Sequence, residues 1–363
     1  MNRLRNPMAW WHVALIYTGA LAFGAIGNWM NLPLPWMIGA MVFATVVRLS
    51  DLPVHVPAIT RPIGQIIIAS SVGLSFTPAA VAALAKLFVP MVGAAVLTVV
   101  AGFAVAALLM RIARVDVITA TLSSVPMGPV ESANLANLHG VSPGPVIFAQ
   151  TLRIMMLVVF IPPALVALAD GIQDPIAVLR AIPWTVGGAV MLGGFAVLGA
   201  LIARAVGLGN PFFVGSLGGA ALGAAFSFPV TAYPYPVLVV AQIFLGVWLG
   251  AVFDRKLIRE AGAFIPGAVV SSLVLMALCV AMGLGLAWMS GQPWTVMILA
   301  TAPGSVTEMA LTAKILQDGI SVVTGFHLVR IFIILPTAPL IIGTTARLAT
   351  HWGLHPHVSP RKR

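Results

Sequence analysis

Two carboxylates sit in stretches of chain that otherwise avoid charge. Glu131 closes the run Thr119-Ala-Thr-Leu-Ser-Ser-Val-Pro-Met-Gly-Pro-Val-Glu131, and Glu308 closes Leu299-Ala-Thr-Ala-Pro-Gly-Ser-Val-Thr-Glu308. Each stands five residues after a proline, Pro126 or Pro303, with Gly128 or Gly304 close by. Hydroxyls flank both breaks: Ser123 and Ser124 in the first, Thr301, Ser305 and Thr307 in the second. Downstream come Gln150-Thr-Leu-Arg153 and His327-Leu-Val-Arg330, and a spacing of three puts each pair on one helix face.

The chemistry these residues offer is ionic. A carboxylate at membrane depth can bind and release a proton or help hold a cation. A guanidinium can clamp a carboxylate substrate or pair with a Glu of either run. His327 can relay a proton or serve as a hydrogen-bonded packing residue. Proline removes an N–H donor and obstructs the preceding turn, and glycine lets the chain reverse, so each run is expected to be a broken helix. A break in hydrocarbon is tolerated only where it is buried in protein or lines a cavity. The N–H groups of the second arm favour an anion, while unwound carbonyls and hydroxyls can hold a cation or a polar substrate. The blander reading is a pair of proline kinks whose Glu residues complement the helix dipole. All the residues named so far, from Ser123 to Glu131 and Thr301 to Glu308 with Gln150, Arg153, His327 and Arg330, form the candidate substrate- or ion-binding set.

The elements that position this set must be membrane helices. Of 363 residues, 60% are hydrophobic and 8% charged, where a soluble domain has roughly a quarter charged. Mean hydropathy is +1.06. Net charge is +10, but the bases lie at the ends of apolar runs rather than on one face, which argues against direct nucleic-acid binding. The single Cys279 excludes disulfides within the chain and cysteine-based metal sites. The first apolar stretch lacks a cleavage site and is expected to be a first span. Spans are predicted near residues 9–28, 33–48, 62–77, 88–110 and 143–168, and again near 184–206, 211–228, 235–253, 263–289 and 320–345. The broken segments fall at 116–139 and 294–317.

The two sets are one unit repeated. Gln65 and Gln242, Gly73 and Gly250, Phe76 and Phe253, Pro126 and Pro303, Glu131 and Glu308, Arg153 and Arg330, and Pro162 and Pro339 are all separated by the same shift in number. Pro35 with Pro211 and Gly39 with Gly215 are one position closer, which implies one indel. Chance explains this poorly, because the chain holds three Glu, of which Glu131 and Glu308 match and Glu260 does not. The repeats are assigned to residues 1–176 and 177–363. Basic residues favour the cytoplasmic side. Placing Arg3 and Arg5 inside also puts Arg48, Arg61, Arg111, Arg114, Arg204, Arg255, Lys256 and Arg361 inside, and the Asp170–Asp174 linker outside, provided the first broken segment returns to its own face. The expected fold is therefore all-α, with about ten transmembrane helices, two re-entrant broken segments and inverted repeats. Twelve plain spans are the alternative.

The combination of Pro126-to-Glu131, Pro303-to-Glu308, Arg153 and Arg330 resembles the membrane AbrB-type family. Leu34-Pro-Trp-Met-Ile-Gly39, Ser71-Val-Gly-Leu-Ser-Phe76 and Ala302-Pro-Gly-Ser-Val-Thr-Glu-Met-Ala310 extend the resemblance over nearly the whole chain. The first copy departs from the family at Met127-Gly128, where members usually have two glycines. The resemblance implies a bacterial inner-membrane, multi-pass protein, and the charge distribution puts both termini on the cytoplasmic side. Members are labelled transcriptional regulators or ammonia monooxygenases, and neither label fits these residues. There is no stretch for a nucleic-acid-binding module, and the seven His lack a copper-ligand pattern. The plan resembles secondary transporters of the cation/proton antiporter and bile-acid symporter kind, an analogy of fold. The leading expectation is an ion-gradient-driven carrier of a small anionic solute working by alternating access, without cofactor or resident metal. The alternative is a membrane regulator or sensor acting indirectly on gene expression, and an intramembrane enzyme ranks third. Expected partners are the bilayer and a small-molecule or ion substrate, with a homodimer as the candidate assembly.

Overall fold

The computed structural model describes residues 7–351 apart from 51, 53, 169–174, 254 and 263. Arg3, Arg5, Arg361 and the Asp170–Asp174 linker, used in the charge argument, lie outside the described residues. Within them every regular element is a helix. In chain order these are α1 Pro7–Trp29, α2 Pro35–Leu49, α3 Thr60–Gly73, α4 Pro78–Lys86, α5 Phe88–Ala113, α6 Val117–Ser124, α7 Pro129–Leu138, α8 Pro143–Leu168 and α9 Pro175–Arg180. Then follow α10 Val186–Ala205, α11 Pro211–Ala225, α12 Tyr235–Gly250, α13 Arg255–Ala261, α14 Phe264–Ser290, α15 Trp294–Thr301, α16 Val306–Ile315 and α17 Ile320–His351.

Six helices, α1, α5, α8, α10, α14 and α17, are long and apolar enough to cross a membrane. Helices α3 and α4 make a seventh candidate only as a pair, and that pair is bent by 89°. Helices α2, α11 and α12 are apolar but have 15 or 16 residues, which at about 1.5 Å per residue falls short of a hydrocarbon core of about 30 Å. Length thus supports six or seven crossings directly, against the ten expected. The surface is one that water would not support: Trp10, Trp11, Trp29, Trp288, Val186 and Val190 are all exposed.

Local chemistry sets several helix starts. Proline stands at the head of α2, α7 and α11, where its missing N–H costs nothing. Leu34 and Asn210, ahead of α2 and α11, both adopt left-handed backbone, with φ of 55° and 51°. Asp116 caps α6 by accepting from the Thr119 N–H at 2.8 Å, and Thr185 caps α10 from Gly188 N–H at 3.1 Å. The helix bounds follow the sequence repeat. Helices α15 and α16 begin and end at the positions that match the bounds of α6 and α7, and α11 does the same for α2.

The chain forms two compact units, each drawing on both sequence halves. The first comprises Met1–Lys86, Val158–Arg255 and Val306–Thr324. In it α1 packs on α2 and α10 on α11, while α2 meets α12 and α3 meets α11. Small residues make these approaches close: a Cβ on Gly215 would run into the Gly199 carbonyl, and one on Gly246 into the Met37 carbonyl. Ile16, Ala20, Ala40, Ala44, Val239, Ile243 and Val247 form one core of this unit.

The second unit comprises Leu87–Leu157, Lys256–Ser305 and Gly325–Arg363. Here α5 lies against α14, with α6 on α5 and α15 on α14. Ile118, Leu122 and Val125 around the first break pack with Ile334, Ala338 and Ile342 of α17. This unit carries most of the candidate site.

Candidate ion and substrate site

Both suspect segments are broken helices. Helix α6 stops at Ser124 and α7 resumes at Pro129; α15 stops at Thr301 and α16 resumes at Val306. Pro126, Met127 and Pro303 are buried. A helix end strands carbonyls that a buried site must satisfy from elsewhere. Two side chains do so at each break, and they are the two pairs picked out by their spacing.

At the first break the Gln150 amide donates to Leu122 O at 2.6 Å and to Val125 O at 2.8 Å. Arg153 donates to Ser124 O at 2.9 Å and to Ser123 O at 3.4 Å, and a second guanidinium nitrogen donates to the Gln150 side-chain oxygen. At the second break His327 Nε2 meets Leu299 O at 2.9 Å. Arg330 donates to Ala302 O at 2.6 Å and Gly304 O at 2.5 Å, and meets His327 Nδ1 at 2.8 Å. An arginine has only donors, so Nδ1 must accept and the imidazole proton sits on Nε2. A neutral His327 therefore does what Gln150 does: it accepts from its arginine and donates to the carbonyl 28 residues upstream. The arginines place positive charge at the negative ends of α6 and α15.

Arg153 and Arg330 have no carboxylate partner among the described residues, so the pairing with Glu considered from sequence is not their arrangement. Both are buried in the second unit, Arg153 with 3% and Arg330 with 6% of its surface exposed. The two breaks, as far as Ser305, belong to one unit, and each holds a buried arginine.

The remaining candidates divide. Glu131 is half-buried in the first turn of α7, its carboxylate folded against Gly128. Gly128 and Gly304 do not turn the chain through left-handed backbone, contrary to the role expected of them. They provide space: a Cβ on Gly128 would collide with the Glu131 carboxylate, and one on Gly304 would meet Leu157 Cδ1 at 2.9 Å. The Thr301 hydroxyl, expected to face a ligand, lies instead 2.9 Å from both Cys279 O and Met297 O, where it donates. It ties α15 to α14 at Gly283, where a Cβ would stand 2.9 Å from Ile298 Cα. Ser123 and Ser124 are buried, and their hydroxyls have no protein partner. Ser305 is half-buried. Thr307 and Glu308 are buried on α16, in the first unit.

One charged residue escaped the sequence reading. Lys314, on α16, is buried and donates to Ser71 O at 3.1 Å and to the Ser71 hydroxyl, near the C-terminal end of α3. Its position in the predicted segment 294–317 was signal enough, since a lysine inside an apolar run is rare. Its counterpart in the first repeat is Asn137, so the repeat comparison passed over it. Among the described residues no three His, Cys, Asp or Glu side chains come together to hold a metal ion.

Long apolar helices, a lipid-like surface and two buried helix breaks define a multi-pass helical membrane protein. The chain belongs to the AbrB family: residues 36–345 match the family model described as "Transition state regulatory protein AbrB". It is similar to an Escherichia coli (strain K12) protein named as a regulator, AbrB, with 23% identity over 92% of this chain and 96% of that protein. It is also similar to "Uncharacterized protein YhjN" of Bacillus subtilis (strain 168), with 22% identity over 91% of each chain. No solved structure matches it.

Proposed function

We propose that this protein is a secondary transporter of the bacterial inner membrane. It would carry a small anionic solute by alternating access, driven by an ion gradient and not by chemistry on a substrate. The observation that carries this reading is the matched pair of buried helix breaks, one at the same place in each sequence half, each closed by an arginine and its polar partner. Discontinuous helices at corresponding places in two halves are how carriers build a site near the midplane. Two buried guanidinium groups, without carboxylate partners among the described residues, favour an anion.

The matching helix bounds support duplicated halves. The charge distribution supports ten spans, two re-entrant segments, inverted orientation and cytoplasmic termini. Partners in this reading are the bilayer, the solute, a coupling ion and a second copy of the chain. Glu131 and Glu308 are the proposed proton or cation carriers. The test is uptake of a panel of labelled small carboxylates into proteoliposomes with and without an imposed proton or sodium gradient. Gradient-dependent uptake that is uncoupled by Glu131→Gln or Glu308→Gln supports the reading, whereas full coupled transport by both variants would remove the carboxylates from the mechanism.

The name of the Escherichia coli relative favours a second reading, a membrane regulator acting indirectly on gene expression. Absence of flux for every solute, with altered transcription on deletion, would favour it.

A further inference from the structure

Hydroxyls on membrane helices usually bond back to the carbonyl four residues earlier. Thr45, Ser70, Thr98 and Thr324 do so here at 2.7 to 2.8 Å. Ser123, Ser124 and Ser271 do not. Each is buried, with at most 4% of its surface exposed, and each hydroxyl lacks any protein partner. The Nε of Arg153, a residue only 3% exposed, lacks one too. Buried polar groups are nearly always satisfied, so four orphans together call for a bound species.

They surround one cavity. Ser123 and Ser124 from α6, Arg153 from α8 and Ser271 and Ser272 from α14 supply its polar wall, and apolar side chains, Val105 and Leu109 of α5 among them, supply the rest. It has room for about one water-sized body. Its chemistry is that of an anion site: a cationic N–H and three hydroxyls free to donate, with no carboxylate partnering the arginine among the described residues. Arg153 is a buried guanidinium whose Nε has no protein partner, and a bound anion would offset its charge.

We propose that this cavity binds one small monovalent anion, held by Ser123, Ser124, Ser271 and the Nε of Arg153, its walls yielding slightly where a halide takes the place of a water. The second break lacks the same free hydroxyls. In the other repeat Ser123 and Ser271 are matched by Ala300 and Ala94, and Ser124 by Thr301, whose hydroxyl is already bonded to α14. The inference deepens the reading of the first break as an anion site, and its test does not need transport, because the anion would be held whether or not the protein moves a solute.

The test is thermal unfolding of the purified full chain while chloride replaces gluconate at fixed ionic strength, with bromide anomalous diffraction on crystals grown in bromide. The expected result is a saturable rise in Tm with chloride or bromide. The Ser124→Ala/Ser271→Ala variant should weaken the apparent affinity about tenfold or more. An equal Tm in chloride and gluconate would overturn the proposal and leave a water in the cavity. So would a chloride response that the variant retains. If the variant does not fold, the wild-type bromide peak decides: density among Ser123, Ser124 and Ser271 upholds the site, and density elsewhere or none removes it.

Discussion

Gln150 and His327 are chemically different side chains in one structural role. Each accepts from an arginine three residues on and donates to a carbonyl 28 residues back. His327→Gln should therefore fold and function close to wild type, whereas His327→Ala should lose about 1–3 kcal/mol of stability by orphaning Leu299 O. Thermal unfolding of both variants separates the two cases. A protonated His327 would aim a donor at Arg330, so a proton relay through it is disfavoured, and loss of coupling in His327→Gln would contradict this reading. Arg330 bridges two carbonyls and His327 with a planar fork that an ammonium cannot copy. Arg330→Lys should then lower Tm and expression rather than weaken solute binding alone, and a folded variant with only a binding defect would assign Arg330 to clamping substrate instead. The sequence made these four residues visible through their spacing. It could not show their partners, because backbone carbonyls leave no signature in residue types.

At the scale of elements, the breaks were readable because proline with glycine close by disfavours a continuous helix, and the structure places them at residues 125–128 and 302–305 within the expected segments. Proline alone, by contrast, is carried inside α8 at Pro162 and Pro163 and inside α17 at Pro336 and Pro339. Gly128 and Gly304, expected to let the chain reverse, keep out of left-handed backbone and leave room for neighbouring side chains. The 89° bend between α3 and α4 was not foreseen, since Leu74–Thr77 carries no glycine and Pro78 alone permits a straight N-terminal start. Gly283 shows how closely the half-helix α15 is held against α14. A Cβ there would meet Met297 O and Ile298 Cα at 2.9 Å, backbone that cannot swing aside. Gly283→Ala should cost roughly 1–3 kcal/mol by overpacking, read as a lower Tm. Gly193, with nothing nearer than 3.7 Å, is the matched control and should tolerate alanine with little change.

For the whole molecule, the repeat was legible as a constant shift between like residues, but its consequence was not. Each compact unit takes segments from both halves, so neither half corresponds to a unit by itself. Pattern along the chain reports local structure, while this interleaving depends on packing between distant helices such as α3 with α11 and α2 with α12. The proposed carrier needs the two halves to run in opposite directions through the membrane, which is decided by the side on which the linker between them emerges. The direct measurement places single cysteines at Asn2 and at Asp174 in a Cys279→Ala background and labels intact cells with an impermeant thiol reagent. Labelling at Asp174 with protection at Asn2 is the predicted result and means an odd number of crossings and inverted halves. Protection at both would mean parallel halves and would contradict the account.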